Sequence, residues 1–183
     1  PTTGSVENDL GTGYVIEECL VTRGDKIGSK SINSVSDSLL SEVSGIKPEA
    51  FSYCPNIQTV DLSDTSVTVI PERCFRGAKN LKEVVLPKSV SRIDSKAFSD
   101  SSPWVTIYST TCQIESDAFD NGNGVIRGYK YSDGSESKYS TAYQYAQNHN
   151  IQFEEITAEY TLTFLDFDGS RIETQRVESG KDG

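Results

Sequence analysis

The chain has 183 residues, with 17 basic and 27 acidic side chains and a net charge of −10 at neutral pH. That balance repels the phosphates of nucleic acid and of anionic lipid surfaces, so neither is an expected partner. The length allows a sizeable core in one domain or one and a half, yet no run approaches the roughly 18 apolar residues a membrane-spanning helix needs, and no charged-then-apolar leader opens the chain.

The absence of Met reads as an excised or processed piece, with any export signal outside it. Cys19, Cys54, Cys74 and Cys112 are widely spaced, and the single His149 gives them no partner for a zinc site. An even number of cysteines permits disulfides, but spacing does not establish their pairing.

From the amino end, residues 1–42 match the later pattern poorly. "GYVIEECLV" has strand composition, and "SINSVSDSLLSEV" sets Ile32, Val35, Leu39 and Val43 at intervals near the 3.6 of a helix. These residues are expected to form an N-terminal cap over the first strand edge, or else a diverged extra repeat.

Residues 43–127 repeat themselves. "VSGIKPEAF", "VTVIPERCF", "VSRIDSKAF" and "TCQIESDAF" align without gaps, and Phe51, Phe75, Phe98 and Phe119 recur at spacings of 24, 23 and 21. After each Phe comes a second apolar block: Ile57, Val60 and Leu62, then Leu81, Val84 and Leu86. It weakens to Trp104 and Ile107, then to Val125. This is the spacing of a leucine-rich repeat, in which a short strand buries its apolar face only by stacking on its neighbours. In "VVLPKSVSRIDSKAF" the strand stops at Pro87, which lacks a donor, and a return arm carries Val90, Ile93 and Phe98. The Phe residues should form a ladder through the core. Cys54 and Cys74 fall where small buried apolar residues belong.

The stretch "IPERCFRGAKNLKEVVLPKSVSRIDSKAF", with "AFSYCPNIQTVDL" before it, resembles the BspA-type leucine-rich repeats. Cys74 for the paired Ala, Ala78 where Cys is usual, and a shortened final unit depart from that pattern. The resemblance implies an α/β solenoid, a right-handed leucine-rich repeat of short parallel strands. It implies a secreted or cell-surface protein, mostly bacterial, used for adhesion or host contact. It implies neither enzyme nor cofactor. Its expected partner is a host or microbial extracellular protein or a glycan.

Residues 128–156 resemble the closing segment that follows such arrays, a C-terminal cap of helix and final strand. Tyr139, Ala142, Tyr143 and Ala146 fall on one helical face, with His149 near the helix end. Residues 157–183 read as two strands about a tight turn at Asp168-Gly169. They resemble the start of the small β-grasp-like repeats of bacterial surface proteins. Only the first half is present, so the natural protein is expected to continue.

Little in the sequence carries chemistry. "DFDGS" at 166–170 lacks the oxygen ligands of an EF-hand loop, and "GTG" and "SDGS" lack phosphate-loop spacing. A nucleophile would have only His149 as its base, and no carboxylate pair can be assigned a catalytic separation. The remaining candidates lie between the ladder residues, where strand alternation turns side chains to the concave face. Eight residues after each Phe stand Thr59, Glu83, Thr106 and Arg127, and ten after stand Asp61, Val85, Tyr108 and Tyr129. The last of these make the surface aromatic towards its carboxyl end, and Tyr and Arg are frequent binding hot spots.

Overall fold

A computed structural model describes residues 6–8, 14–16, 34–35, 43–132, 137–157, 159–167, 169 and 171–178. The chain winds as a parallel-strand solenoid. Its principal sheet has six strands: β3 (Ser34–Val35), β5 (Thr59–Asp61), β7 (Glu83–Val85), β9 (Trp104–Ile107), β11 (Val125–Gly128) and β12 (Gln152–Glu155). Adjacent strands pair in parallel throughout, so equivalent residues lie rung above rung. The return arms form a second parallel sheet from β6 (Val69–Ile70), β8 (Arg92–Ile93) and β10 (Gln113–Ile114).

At the amino end β1 (Val6–Asn8) pairs antiparallel with β2 (Tyr14–Ile16), which pairs in parallel with β4 (Val43–Ile46). The helix expected from the spacing of Ile32, Val35, Leu39 and Val43 is not formed at its described positions, because Ser34–Val35 and Val43–Ile46 are strands. Val35 stands opposite Val60 in the main ladder. Stacking on a neighbour overrides the local period, because one strand with a partner satisfies both its backbone groups and its apolar face.

Stacked ladders of equivalent residues make the core. Val60, Val84, Val105 and Ile126 are aligned rungs of the main sheet, each at most 1% exposed. The Phe ladder runs beside them: Phe51, Phe75, Phe98 and Phe119 stack at centroid separations of 5.0, 5.1 and 4.8 Å, with their planes nearly parallel. The Phe arm also carries its own hydrogen bonds. The N–H groups of Phe51, Phe75 and Phe98 donate to the carbonyls of Cys74, Ala97 and Ala118 at 2.7–2.9 Å. Two residues before the first three rings, Glu49, Arg73 and Lys96 have φ of 62°, 54° and 56°. Two residues after the rings, Tyr53, Gly77, Asp100 and Asn121 have φ of 53°, 66°, 57° and 58°. A non-Gly residue in this region costs about 1–2 kcal/mol. The repeated turn is held because it aims the N–H groups of Glu49, Tyr53, Arg73, Gly77 and Asp100 at carbonyls of the next unit.

The array ends on α1 (Thr141–Asn148). Ser140, its N-cap, accepts from the Tyr143 N–H, and the helix buries Ala142, Tyr145 and Ala146. The buried face therefore differs from the expected one. Tyr139 precedes the helix and is 47% exposed, while Tyr145 covers the Phe119 ring at 5.7 Å. Gly128 occupies the last rung below Leu62, Leu86 and Ile107, where a Cβ would meet the Ile107 carbonyl oxygen at 3.0 Å and the Ala142 Cβ at 3.8 Å. The helix fills the space that a larger apolar residue fills elsewhere in that ladder. His149 caps the helix C-terminus.

β13 (Glu159–Leu165) and β14 (Arg171–Glu178) form the expected antiparallel hairpin. Asp168 of the predicted turn lies outside the described residues, while Gly169 has φ of 82° and its N–H donates to the Asp166 carbonyl at 2.8 Å. In the rest of "DFDGS", Asp166 Oδ1 accepts the Phe167 N–H, and Ser170 is likewise outside the description.

Candidate functional site

With alternate side chains of β5, β7, β9 and β11 committed to the core, the others form the outer face of the principal sheet. Counting from each Phe places the first two strands correctly: Thr59 pairs with Glu83 and Asp61 with Val85. The next pairings are Glu83 with Trp104 and Val85 with Thr106, so the third unit is shifted by two. The fourth keeps that shift, with Trp104 opposite Val125 and Thr106 opposite Arg127. The cause is a shorter passage from Phe98 to its strand, where Ser101 and Pro103 take the buried positions used by Ala78 and Leu81. An even shift preserves the face, so the expected residues keep their side of the sheet and change their neighbours.

The outer face thus has two rows, Thr59–Glu83–Trp104–Val125 and Asp61–Val85–Thr106–Arg127. β12 extends them with Gln152 and Glu154. Tyr108 and Tyr129 fall beyond the strand ends, half-buried, with ring centroids 6.4 Å apart and tilted by 53°. Asp61 is exposed, and Thr59, Glu83, Val85 and Arg127 are half-buried. Thr106 is only 3% exposed, because it lies between Val85 and Arg127, so it supports the face from below.

The residue missed from sequence is Trp104. Its position in the weakened apolar block gave it a core place, yet it is 39% exposed on the outer face. Reading back from Ile107 by twos would have found it, since Val105 and Ile107 are both buried. The Arg127 guanidinium lies over its indole, 4.8 Å from the ring centroid. Arg127 Nε donates to Glu154 at 3.0 Å, and its Nη1 is 3.9 Å from a Glu83 oxygen. One cation therefore joins carboxylates from β7 and β12 across an aromatic plate on β9. Such exposed pairs add little stability, but several held together fix an orientation.

The cysteines play no part in this face. Cys74 and Cys112 are free and buried, and burial pushes the Cys112 thiol up to about 12 and Cys74 well above its ordinary range. Cys54 is disulfide-bonded, which corrects the reading of it as a packing residue alone. Its side chain is nonetheless buried. Among the described residues no group of three or more His, Cys, Asp and Glu side chains is placed to hold a metal ion, and no helix is long and apolar enough to cross a membrane.

Parallel strands stacked rung on rung, return arms and an internal Phe ladder define a leucine-rich repeat solenoid. The family described as "BspA type Leucine rich repeat region" matches in six copies, over residues 24–125 and 69–168, and the chain belongs to that family. The match begins within the segment set apart as a cap or diverged repeat. No curated protein and no solved structure matches the chain. Members of the family are typically surface-associated bacterial repeat proteins, and the fold typically serves as a non-catalytic interaction scaffold.

Proposed function

We propose that the chain is an extracellular or cell-surface adhesion module that binds a protein or glycan through the strand face bearing Trp104 and Arg127. The observation carrying this reading is the exposed indole in the middle of the sheet, oriented by a guanidinium that two carboxylates hold. A solenoid core gains nothing from leaving a large apolar ring in water, whereas a recognition surface gains contact area at little entropic cost. Asp61, Glu83 and Glu154 supply hydrogen-bond acceptors around it, and Tyr108 and Tyr129 extend it past the strand ends. The Cys54 disulfide fits an oxidising compartment. In this reading the residues before 43 begin the array, 128–156 close it, and the hairpin from 157 starts a second module.

The test is binding of the purified chain to arrays of extracellular proteins and glycans, beside Trp104→Ala and Tyr108→Ala/Tyr129→Ala variants whose circular dichroism matches the parent. A ligand lost with Trp104→Ala supports the strand face. A ligand retained by all variants would refute it, and the absence of any ligand would favour a spacer that projects neighbouring domains, for which the trailing hairpin β13–β14 is the motivation.

A further inference from the structure

At the carboxyl-terminal end of the array, bordering the strand row that runs from Trp104 through Val125 to Gln152, the turn after Phe119 and the C-terminus of α1 form an open cleft of about 380 Å³. That volume lies within the range of small-molecule sites, roughly 300–1,000 Å³. Buried Phe119 and Tyr145 line its base, and the Tyr145 hydroxyl is turned away to donate to the Ser116 carbonyl at 3.1 Å. The His149 imidazole stacks on the Tyr145 ring at 3.9 Å, and its Nδ1 is 2.9 Å from the Tyr145 carbonyl oxygen. That contact makes Nδ1 the donor and leaves Nε2 as the nitrogen available to a ligand.

Four carboxamides in the rest of the lining can hydrogen bond in both directions. Asn121 and Asn123 come from the turn, Asn150 from the segment joining α1 to β12, and Gln152 from the first position of β12. Among the described residues none of these four side chains has a protein partner. Asn121 and Asn150 sit in left-handed backbone positions, with φ of 58° and 55°, which Asn tolerates in tight turns. Asp120 adds one carboxylate, and neither Lys nor Arg lines the cleft.

We infer that this cleft is a binding site for a neutral mono- or disaccharide. Four carboxamides and one carboxylate around an imidazole match a ring of hydroxyl groups, which both donate and accept. An anionic sugar would meet Asp120 without a compensating cation, in a chain of net charge −10. This inference does not depend on the strand face binding anything.

The experiment is ¹H–¹⁵N correlation NMR of the whole chain titrated with lactose, maltose and chitobiose, and separately with glucuronate. Millimolar binding of at least one neutral sugar is expected, with shifts concentrated in residues 119–124 and 149–152 and at least tenfold weaker binding of glucuronate. The double variant Asp120→Ala/Asn123→Ala changes exposed side chains outside the strand face and should weaken binding at least tenfold, while Trp104→Ala should leave it unchanged. No shift in those segments with any neutral sugar at 50-fold excess would overturn the site. So would equal binding of glucuronate, or shifts that vanish with Trp104→Ala and persist in the double variant, which would move the ligand to the strand face.

Discussion

Phe98 has no exposed surface and lies between two near-parallel rings, with centroids 5.1 Å from Phe75 and 4.8 Å from Phe119. Truncating a buried Phe to Ala costs about 3–5 kcal/mol, and the cost rises when the surroundings cannot close on the cavity. Here they cannot, because the Phe75 and Phe98 N–H groups are tied to the carbonyls of Ala97 and Ala118, which holds adjacent arms at a fixed separation. Phe98→Ala is therefore expected near the upper limit, at about 4–5 kcal/mol. Phe51 is stacked on one described ring, Phe75, and Phe51→Ala should cost about 1 kcal/mol less, the worth of one aromatic pair. Urea unfolding followed by far-ultraviolet circular dichroism and by the fluorescence of Trp104, the single tryptophan, reads both values. Since domain stability is about 5–15 kcal/mol, Phe98→Leu serves as a milder variant, and a cycle with Phe75→Leu should show coupling of about 0.5–1.5 kcal/mol. If Phe98→Ala costs no more than Phe51→Ala, or the cycle shows no coupling, the stacked ladder is not what holds the repeats together.

Two further outcomes follow from the cap and the buried acids. Ser140 is 1% exposed, accepts from the Tyr143 N–H at 3.2 Å and donates to the Tyr129 carbonyl at 2.5 Å. Ser140→Ala should cost about 1–2 kcal/mol and lower the thermal midpoint, whereas Ser140→Thr should restore most of it, and an unchanged midpoint for the Ala variant would count against the cap. Burial raises the thiols of Cys74 and Cys112, the latter to about 12, and burial first of all raises the Tyr145 hydroxyl to about 12. These groups stay protonated in the folded chain after they would ionise in the unfolded one. The contribution of Cys112 is thus fully present below pH 9 and is lost as pH rises from 9 towards 12, that of Tyr145 is lost from 10 towards 12, and that of Cys74 is lost in the same direction as pH rises above 9. The urea midpoint should fall between pH 8 and pH 10.5, less steeply in Cys112→Ala, and a thiol reagent at pH 8 should label Cys74 and Cys112 only after unfolding. Rapid labelling of the native chain would show that these thiols are not sealed.

The sequence by itself determined the repeat and its core. An Ile five residues before each Phe, with the second apolar block after it, has no other use than stacking equivalent positions, and apart from the exposed Trp104 and the partly buried Ile114 those residues are the buried ladders observed. The same period gave the alternation of Thr59, Asp61, Glu83, Val85 and Arg127 with the buried rungs, because alternation is a local property of the backbone, while Tyr108 and Tyr129 fall beyond the strand ends and Thr106 is buried. Tertiary structure alone decided the neighbours. A two-residue shortening before β9 is invisible to counting from Phe98, so Trp104 was assigned to the core and Thr106 was placed beside Glu83 instead of Val85. Val35 carried a helical spacing that a partner strand overrode, and Tyr145 was passed over until the end of the Phe ladder required a cover. The cleft beneath His149 is built from turns distant in sequence, which no period records. Periodicity fixes which side of an element is apolar; what stands next to a residue depends on loop lengths, and these are set by packing rather than by the repeat.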